Sequence, residues 1–188
     1  MKRILLTAVV FLLSLNCVAQ PQTSEPILIK TIGTAEIYYY KEKDKTRVQV
    51  RIYLEGKQED IGTQKNTLSM DVIFETNGQK VIKPQKVSIA FSAYSPRESK
   101  LTNDHDLHLY IEGMEGKNGS TWGTKLLSTR QLPSGGKLEI FLSSPIEFDR
   151  IAKMANAMVA RVALGRDTYA MKKEGLQALK DFTKTIEN

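Results

Sequence analysis

Polar and apolar positions alternate with period two through most of this chain, and that alternation predicts strands. Val48, Val50, Ile52 and Leu54 are separated by Arg47, Gln49, Arg51 and Tyr53, the pattern of an antiparallel strand with one face turned inward. Leu68, Met70, Val72 and Phe74 repeat it up to Asn77-Gly78, and Val87, Ile89, Phe91 and Ala93 resume it beyond Pro84. The Asn-Gly pair predicts a tight hairpin, because both central positions of that turn need positive φ. Pro84 lacks a ladder amide, so it marks a bulge, an edge or a break in the return strand. Leu107, Leu109 and Ile111 predict a further strand, and Trp122 to Thr129 another. Ile27 to Tyr40, rich in β-branched and aromatic residues, reads as one long strand bent at Gly33.

The stretch from Lys137 onward changes period. Leu138, Ile140 and Leu142 still alternate, but Ser144, Pro145 and Glu147 then match a capping box with proline at the first helical position. Phe148, Ile151, Ala152 and Ala155 follow at helical spacing. Met158, Ala160, Val162 and Leu164 return to period two. Gly165-Arg166-Asp167 predicts a turn, and Thr168 to Met171 the partner strand of a hairpin. Leu176, Leu179, Phe182 and Ile186 form the stripe of a last helix, with Gly175 weakening its first turn. The expected fold class is mainly β with minor α. It is an antiparallel β-sandwich or curved sheet, with a short helix near 145–155 and a C-terminal helix near 173–186.

The first residues belong to a different logic. Lys2 and Arg3 precede a nearly unbroken apolar run from Ile4 to Leu15, and Cys17-Val18-Ala19 supplies neutral residues at the −3 and −1 positions before Gln20. That is the pattern of a secretory signal peptide over 1–19. A flexible lead-in follows over 20–26, and a single β-rich domain over 27–188. The run is too short to span a bilayer, and no later run approaches the length required. The implied destination is the periplasm or the cell exterior. Cys17 carries an alternative, an envelope lipoprotein anchored through its thiol, although Asn16 stands where a lipobox wants a small residue.

Composition narrows the chemistry. Cys17 is the one cysteine, so a chain cleaved after Ala19 has no disulfide, no thiolate nucleophile and no cysteine-ligated metal. Removing Lys2 and Arg3 with the leader takes the formal net charge from +6 to +4. The densest charged run, Lys41 to Lys45, mixes both signs, so nothing reads as a nucleic-acid-binding stripe. The two histidines lie in Asp104-His105-Asp106-Leu107-His108. On a strand, Asp106, His108, Tyr110 and Glu112 share the outer face, which makes Asp106 and His108 the candidate metal pair. No Gly-x-Ser-x-Gly elbow and no phosphate loop is present, and no cofactor is implied. Glu59-Asp60 lies in a polar connection, and Asn118-Gly119-Ser120 fits a glycosylation sequon in a sequence whose leader has bacterial character. Tyr38 and Tyr40, joined by Tyr53 from the facing strand, are the candidate ligand-binding residues, an aromatic patch fit for a glycan or protein partner.

The closing unit also resembles one found in small exported bacterial proteins of unknown function. The resemblance rests on Phe148, Ile151-Ala152 and Ala155, the hairpin around Gly165, and Ala178-Leu179-Lys180-Asp181-Phe182. It implies a β-rich exported module and supplies no activity and no catalytic residue. The expected function is a non-enzymatic binding or structural module of unidentified ligand and oligomeric state. The alternative is a hydrolase-type enzyme built on the Asp106/His108 face or in the loops.

Overall fold

The structure is a computed structural model and describes residues 25–54, 67–95, 106–111, 121–133, 136–164 and 167–186. Along the chain, β1 (Ile27–Ile32), β2 (Ala35–Tyr40), β3 (Lys45–Leu54), β4 (Thr67–Asn77), β5 (Lys86–Ser95), β6 (Asp106–Ile111), β7 (Thr121–Gln131), β8 (Lys137–Ser143) and β9 (Ile146–Glu147) precede the first helix. A single 3-10 turn (Lys41–Lys43) joins β2 to β3, and helix α1 (Phe148–Ala155), β10 (Ala160–Leu164), β11 (Asp167–Ala170) and α2 (Lys173–Lys184) complete the described elements. All pairings are antiparallel, in the order β1-β2-β3-β4-β5-β8-β7-β6-β10-β11, with β9 beside the start of β5.

Of the two expected arrangements, the chain builds the curved sheet. In a flat sheet β10 would lie about 29 Å from β3, six strand spacings away. Instead, Met171 at the end of β11 donates its amide to Ala160 O at 3.0 Å. A Cβ placed on Gly175 would meet Met171 Cγ at 2.8 Å and Ile52 Cγ2 at 2.8 Å. One glycine is thus crowded from both ends of the strand order, and the far strands curl back over β3. Strand β7 carries the turn of the sheet: Thr121–Gly123 pair with β6, whereas Thr124 onward pairs with β8 across a bulge between Leu126 and Ser128.

Among the described residues, the inner face holds a single cluster. Val48, Val50 and Ile52 of β3, Met70, Val72 and Phe74 of β4, and Ile89 and Phe91 of β5 join Leu107 and Leu109 of β6 and Phe182 of α2. The alternation that predicted β3, β4, β5 and β6 is therefore the alternation of burial. Phe182 packs edge-on to Phe74 at 5.4 Å between centroids and lies 6.4 Å from Phe148, locking the helices together over β4. Burying side chains of this size stabilises the fold by about 1.5–3 kcal/mol each relative to exposure.

Two expected turns are corrected, and a third expectation, at Pro84, is met. Gly33 does not bend one long strand. It starts a two-residue turn, with φ of +56°, between β1 and β2, where Ile32 pairs with Ala35. Asn77-Gly78 does not close a two-residue hairpin, since Gly78 has φ of +72° but Asn77 is not in the left-handed region. Gly78 N instead donates to Asp44 O at 2.8 Å, and Thr46 Oγ1 donates to Gly78 O at 2.7 Å, tying this turn to the β2–β3 connection. Pro84 falls in the break before β5 begins at Lys86.

The capping box at Ser144 is not formed either. Helix α1 begins at Phe148 without a side-chain cap, because Ile146 and Glu147 pair with Val87 and Lys86 as a short strand. Strand pairing takes the amides that a cap would have served. The serine that matters is Ser143, whose buried Oγ accepts the amide of Ile89 at 3.0 Å where β8 leaves β5. Helix α2 ends at Lys184, and Asp167 belongs to β11.

Candidate binding surface

The outer face of β3 and β4 is a ladder of ion pairs, and β2 joins it through a hydrogen bond. Arg51 grips Asp71 through Nε at 2.7 Å and Nη2 at 2.9 Å. Arg47 donates Nη2 to Glu75 Oε1 at 2.7 Å, and Lys45 lies 3.5 Å from the other oxygen. Gln49 donates to Glu36 at 3.2 Å. Arg47 holds the Glu75 carboxyl below its ordinary value.

Tyr38 and Tyr40 lie on this face, half-buried, opposite Arg47 and Lys45. The Arg47 guanidinium sits 5.0 Å from the Tyr40 ring centre, and the Glu36 carboxylate hydrogen-bonded to Tyr38 pushes that phenol up. Tyr53 shares the face but pairs with Ser69 at the other end of β3, about 20 Å from Arg47 at strand rise. The structure therefore brings Tyr38 and Tyr40 together within the ladder and leaves Tyr53 apart, 73% exposed.

Asp106 and His108 sit on the outer face of β6, alternating with the buried Leu107 and Leu109. His108 stacks on Tyr110 with ring centres 6.1 Å apart, and its Nδ1 lies 3.3 Å from Thr121 Oγ1. Among the described residues no group of three histidine, cysteine or acidic side chains forms a metal site. His105, Glu112, Cys17, Glu59-Asp60 and the Asn118 sequon lie outside the described residues. Behind β6, Arg150 of α1 donates Nη2 to Leu109 O at 2.9 Å and stands 5.9 Å from the Trp122 ring centre. Its buried Nε has no hydrogen-bond partner among the described residues.

A different surface collects at the β1 end of the sheet. Strand β1 pairs with β2 on one side and, among the described residues, with nothing on the other. Ile27, Leu28 and Ile29 are 55%, 51% and 50% exposed, unusual for consecutive large apolar residues on a sheet edge. A register shift between Leu28 and Lys30 sets Ile29 in a bulge. Ile27 lies opposite Tyr39, and the two join Ile29, Lys41 and Gln79 around a half-open pocket of about 460 Å³. The Tyr39 hydroxyl donates to Asp44 Oδ1 at 2.9 Å, which raises the phenol above its ordinary value and fixes the ring as a wall. Helix α2 does not shield this end of the strands. Its Asp181 meets the β1–β2 turn at the opposite end.

Sequence reasoning misses this surface because Ile27 to Tyr40 reads as one strand. Two strands back to back turn Ile27 and Tyr39 from distant positions into neighbours. The available signal was Gly33-Thr34, a glycine-led pair between two β-rich runs. No family model, no curated protein and no solved structure matches this chain.

Proposed function

We propose that this chain is an exported, non-enzymatic binding module that works through the β1 end of its sheet. The observation that carries the reading is the apolar edge: Ile27, Leu28 and Ile29 exposed together beside a pocket walled by Tyr39. Contiguous exposed apolar surface on a sheet edge marks an interaction site or an aggregation hazard. The ion pairs between β3 and β4 support the same assignment, since Tyr40 is engaged by Arg47 of that ladder and Tyr38 by Glu36 beside it. No observation favours the hydrolase alternative, because Asp106 and His108 share an open strand face with Tyr110.

The test has two readouts. Intact mass of the protein recovered outside the cytoplasm should match a chain beginning at Gln20; an increment of diacylglyceryl size would show anchoring through Cys17 instead. A photo-reactive side chain at Leu28 should give an adduct of defined mass in cells, and one at Met158, which is 88% exposed on the α1–β10 connection, should not. Equal labelling from both positions, or none from Leu28, would end the reading.

A further inference from the structure

We infer that Asn77-Gly78 is a self-modification site, where the main chain converts asparagine to aspartate and iso-aspartate when the turn that holds Gly78 opens. The inference stands on the bonds at that turn, whether or not the neighbouring pocket takes a partner. Asn77 is the last residue of β4 and is exposed, and a Cβ on Gly78 would meet nothing within 4 Å. A side-chain amide is thus followed by a main-chain nitrogen whose own residue has no side chain to hinder its approach. The step balances with water alone. Gly78 N loses its proton and bonds to Asn77 Cγ, the Cγ–Nδ2 bond breaks, and ammonia leaves. Water then opens the imide ring. Attack at Cγ gives aspartate, and attack at the main-chain carbonyl carbon gives iso-aspartate.

The folded turn holds this step back. Gly78 N–H is donated to Asp44 O at 2.8 Å, so the nitrogen keeps its proton and cannot swing toward the side chain. Thr46 Oγ1 fixes the other side of the glycine by donating to its carbonyl at 2.7 Å. Asn77 is paired with Lys45 as strand, and ring closure needs a backbone turned out of that extended form. The latch itself is under strain. Asp44 has φ of +45°, uncommon for a residue with a side chain, and the Tyr39 hydroxyl holds its carboxylate at 2.9 Å. Conversion is one-way. Iso-aspartate lengthens the main chain by a methylene before Gly78, so the bonds from Asp44 and Thr46 fall out of register. Either product also sets a new carboxylate opposite Lys45, in competition with Glu75 at 3.5 Å. Lys41 and Gln79 lie on the two segments that this latch joins, and both line the Tyr39 pocket, so conversion loosens the pocket wall.

The experiment ages the full chain at mildly alkaline pH, folded and in urea, and maps its proteolytic peptides by mass, which separates Asn77 from the second Asn-Gly pair at Asn118. Asn77 should convert with iso-aspartate in excess, at least about tenfold more slowly in the folded chain than in urea, because the folded chain reacts only through local opening. Thr46→Val keeps the buried shape and removes the bond to Gly78 O. It should speed conversion of the folded chain severalfold and leave the rate in urea unchanged. Tyr39→Phe should act in the same direction through Asp44, and it decides the matter if the valine variant does not fold. Hydrogen exchange over residues 41–45 should be faster in the converted protein than in fresh protein. Equal rates folded and in urea, aspartate without iso-aspartate, or no product at Asn77 in the folded chain would overturn the inference. So would folded variants that convert no faster than the parent, or exchange over 41–45 that conversion leaves unchanged.

Discussion

Asp181 of α2 accepts the backbone amide of Thr34 at 3.2 Å, across 147 positions of sequence. Its Oδ2 also lies 3.5 Å from Thr34 Oγ1, and Gln177 one helical turn earlier donates to its Oδ1 at 2.9 Å. The carboxylate is buried against the turn so closely that a Cβ on Gly33 would collide with its Oδ2. Helix and hairpin are thereby fastened through one side chain.

Asp181→Ala should lower stability by about 1.5–3 kcal/mol, the range for a hydrogen bond to a charged group. Gly33→Ala should cost more, since it combines positive φ with a steric clash at the carboxylate. The double variant should lose less than the two single losses combined, because removing the carboxylate relieves the clash. Urea midpoints of the four proteins measure the coupling, and strict additivity would contradict this geometry.

Two adjacent serines should respond differently. Ser143→Ala leaves the buried amide of Ile89 without its acceptor and should cost about 1–3 kcal/mol. Ser144 is exposed and caps nothing through its side chain, so Ser144→Ala should stay within about 0.5 kcal/mol of the parent. Thermal midpoints in the reverse order would restore a cap at Ser144.

Gly175 offers a substitution whose sign is set by packing. Alanine is favoured over glycine within a helix by about 0.8–1 kcal/mol. Here the added methyl meets Ile52 Cγ2 and Met171 Cγ at 2.8 Å each, below normal contact. Gly175→Ala should therefore destabilise, by about 1–2 kcal/mol net, as overpacking does. A raised denaturation midpoint would mean that the helix can step away from β3.

The Glu75 carboxyl gives a dependence on pH. Its value is depressed in the folded state by Arg47, with Lys45 adding to the effect. The stability it contributes is thus complete above the ordinary carboxylate value of 4.5 and is lost as pH falls through the lower folded value. Because the pair is partly exposed, the contribution is small, within about 1 kcal/mol. The midpoint gap between the parent and Glu75→Gln should hold steady near neutrality and close in acid. A gap unchanged down to the lowest pH would exclude the linkage.

Much of the sheet was legible in the sequence, and for one physical reason. In β3, β4, β5 and β6 one face is buried and the other wet, so Val48 and Arg47, or Leu107 and His108, report their surroundings directly. The stripe of α2 was legible on the same grounds, through Leu176, Leu179 and Phe182. Legibility failed where a distant partner overrides local preference. Ser144-Pro145-x-Glu147 satisfies every local rule for a cap, yet Val87 and Lys86 capture the following residues as strand. Gly33 looks like a kink until Asp181 is seen beside it. The candidate surface was hidden for a related reason. Ile27, Leu28 and Ile29 have the composition of a buried strand, and their exposure follows from β1 standing at the edge of the strand order.

The cover over β3 has a consequence for how the protein is made. Strand β3 is complete at Leu54, but the helix that shelters Ile52 and holds Phe182 against Phe74 is α2. A growing chain therefore carries a formed or forming sheet with a bare apolar face until nearly all the described residues have been synthesised. Contacts of such wide sequence separation slow folding, and the interval in which they are missing is the one in which chains stick to each other. The last helix sets the moment at which this chain becomes safe from its neighbours.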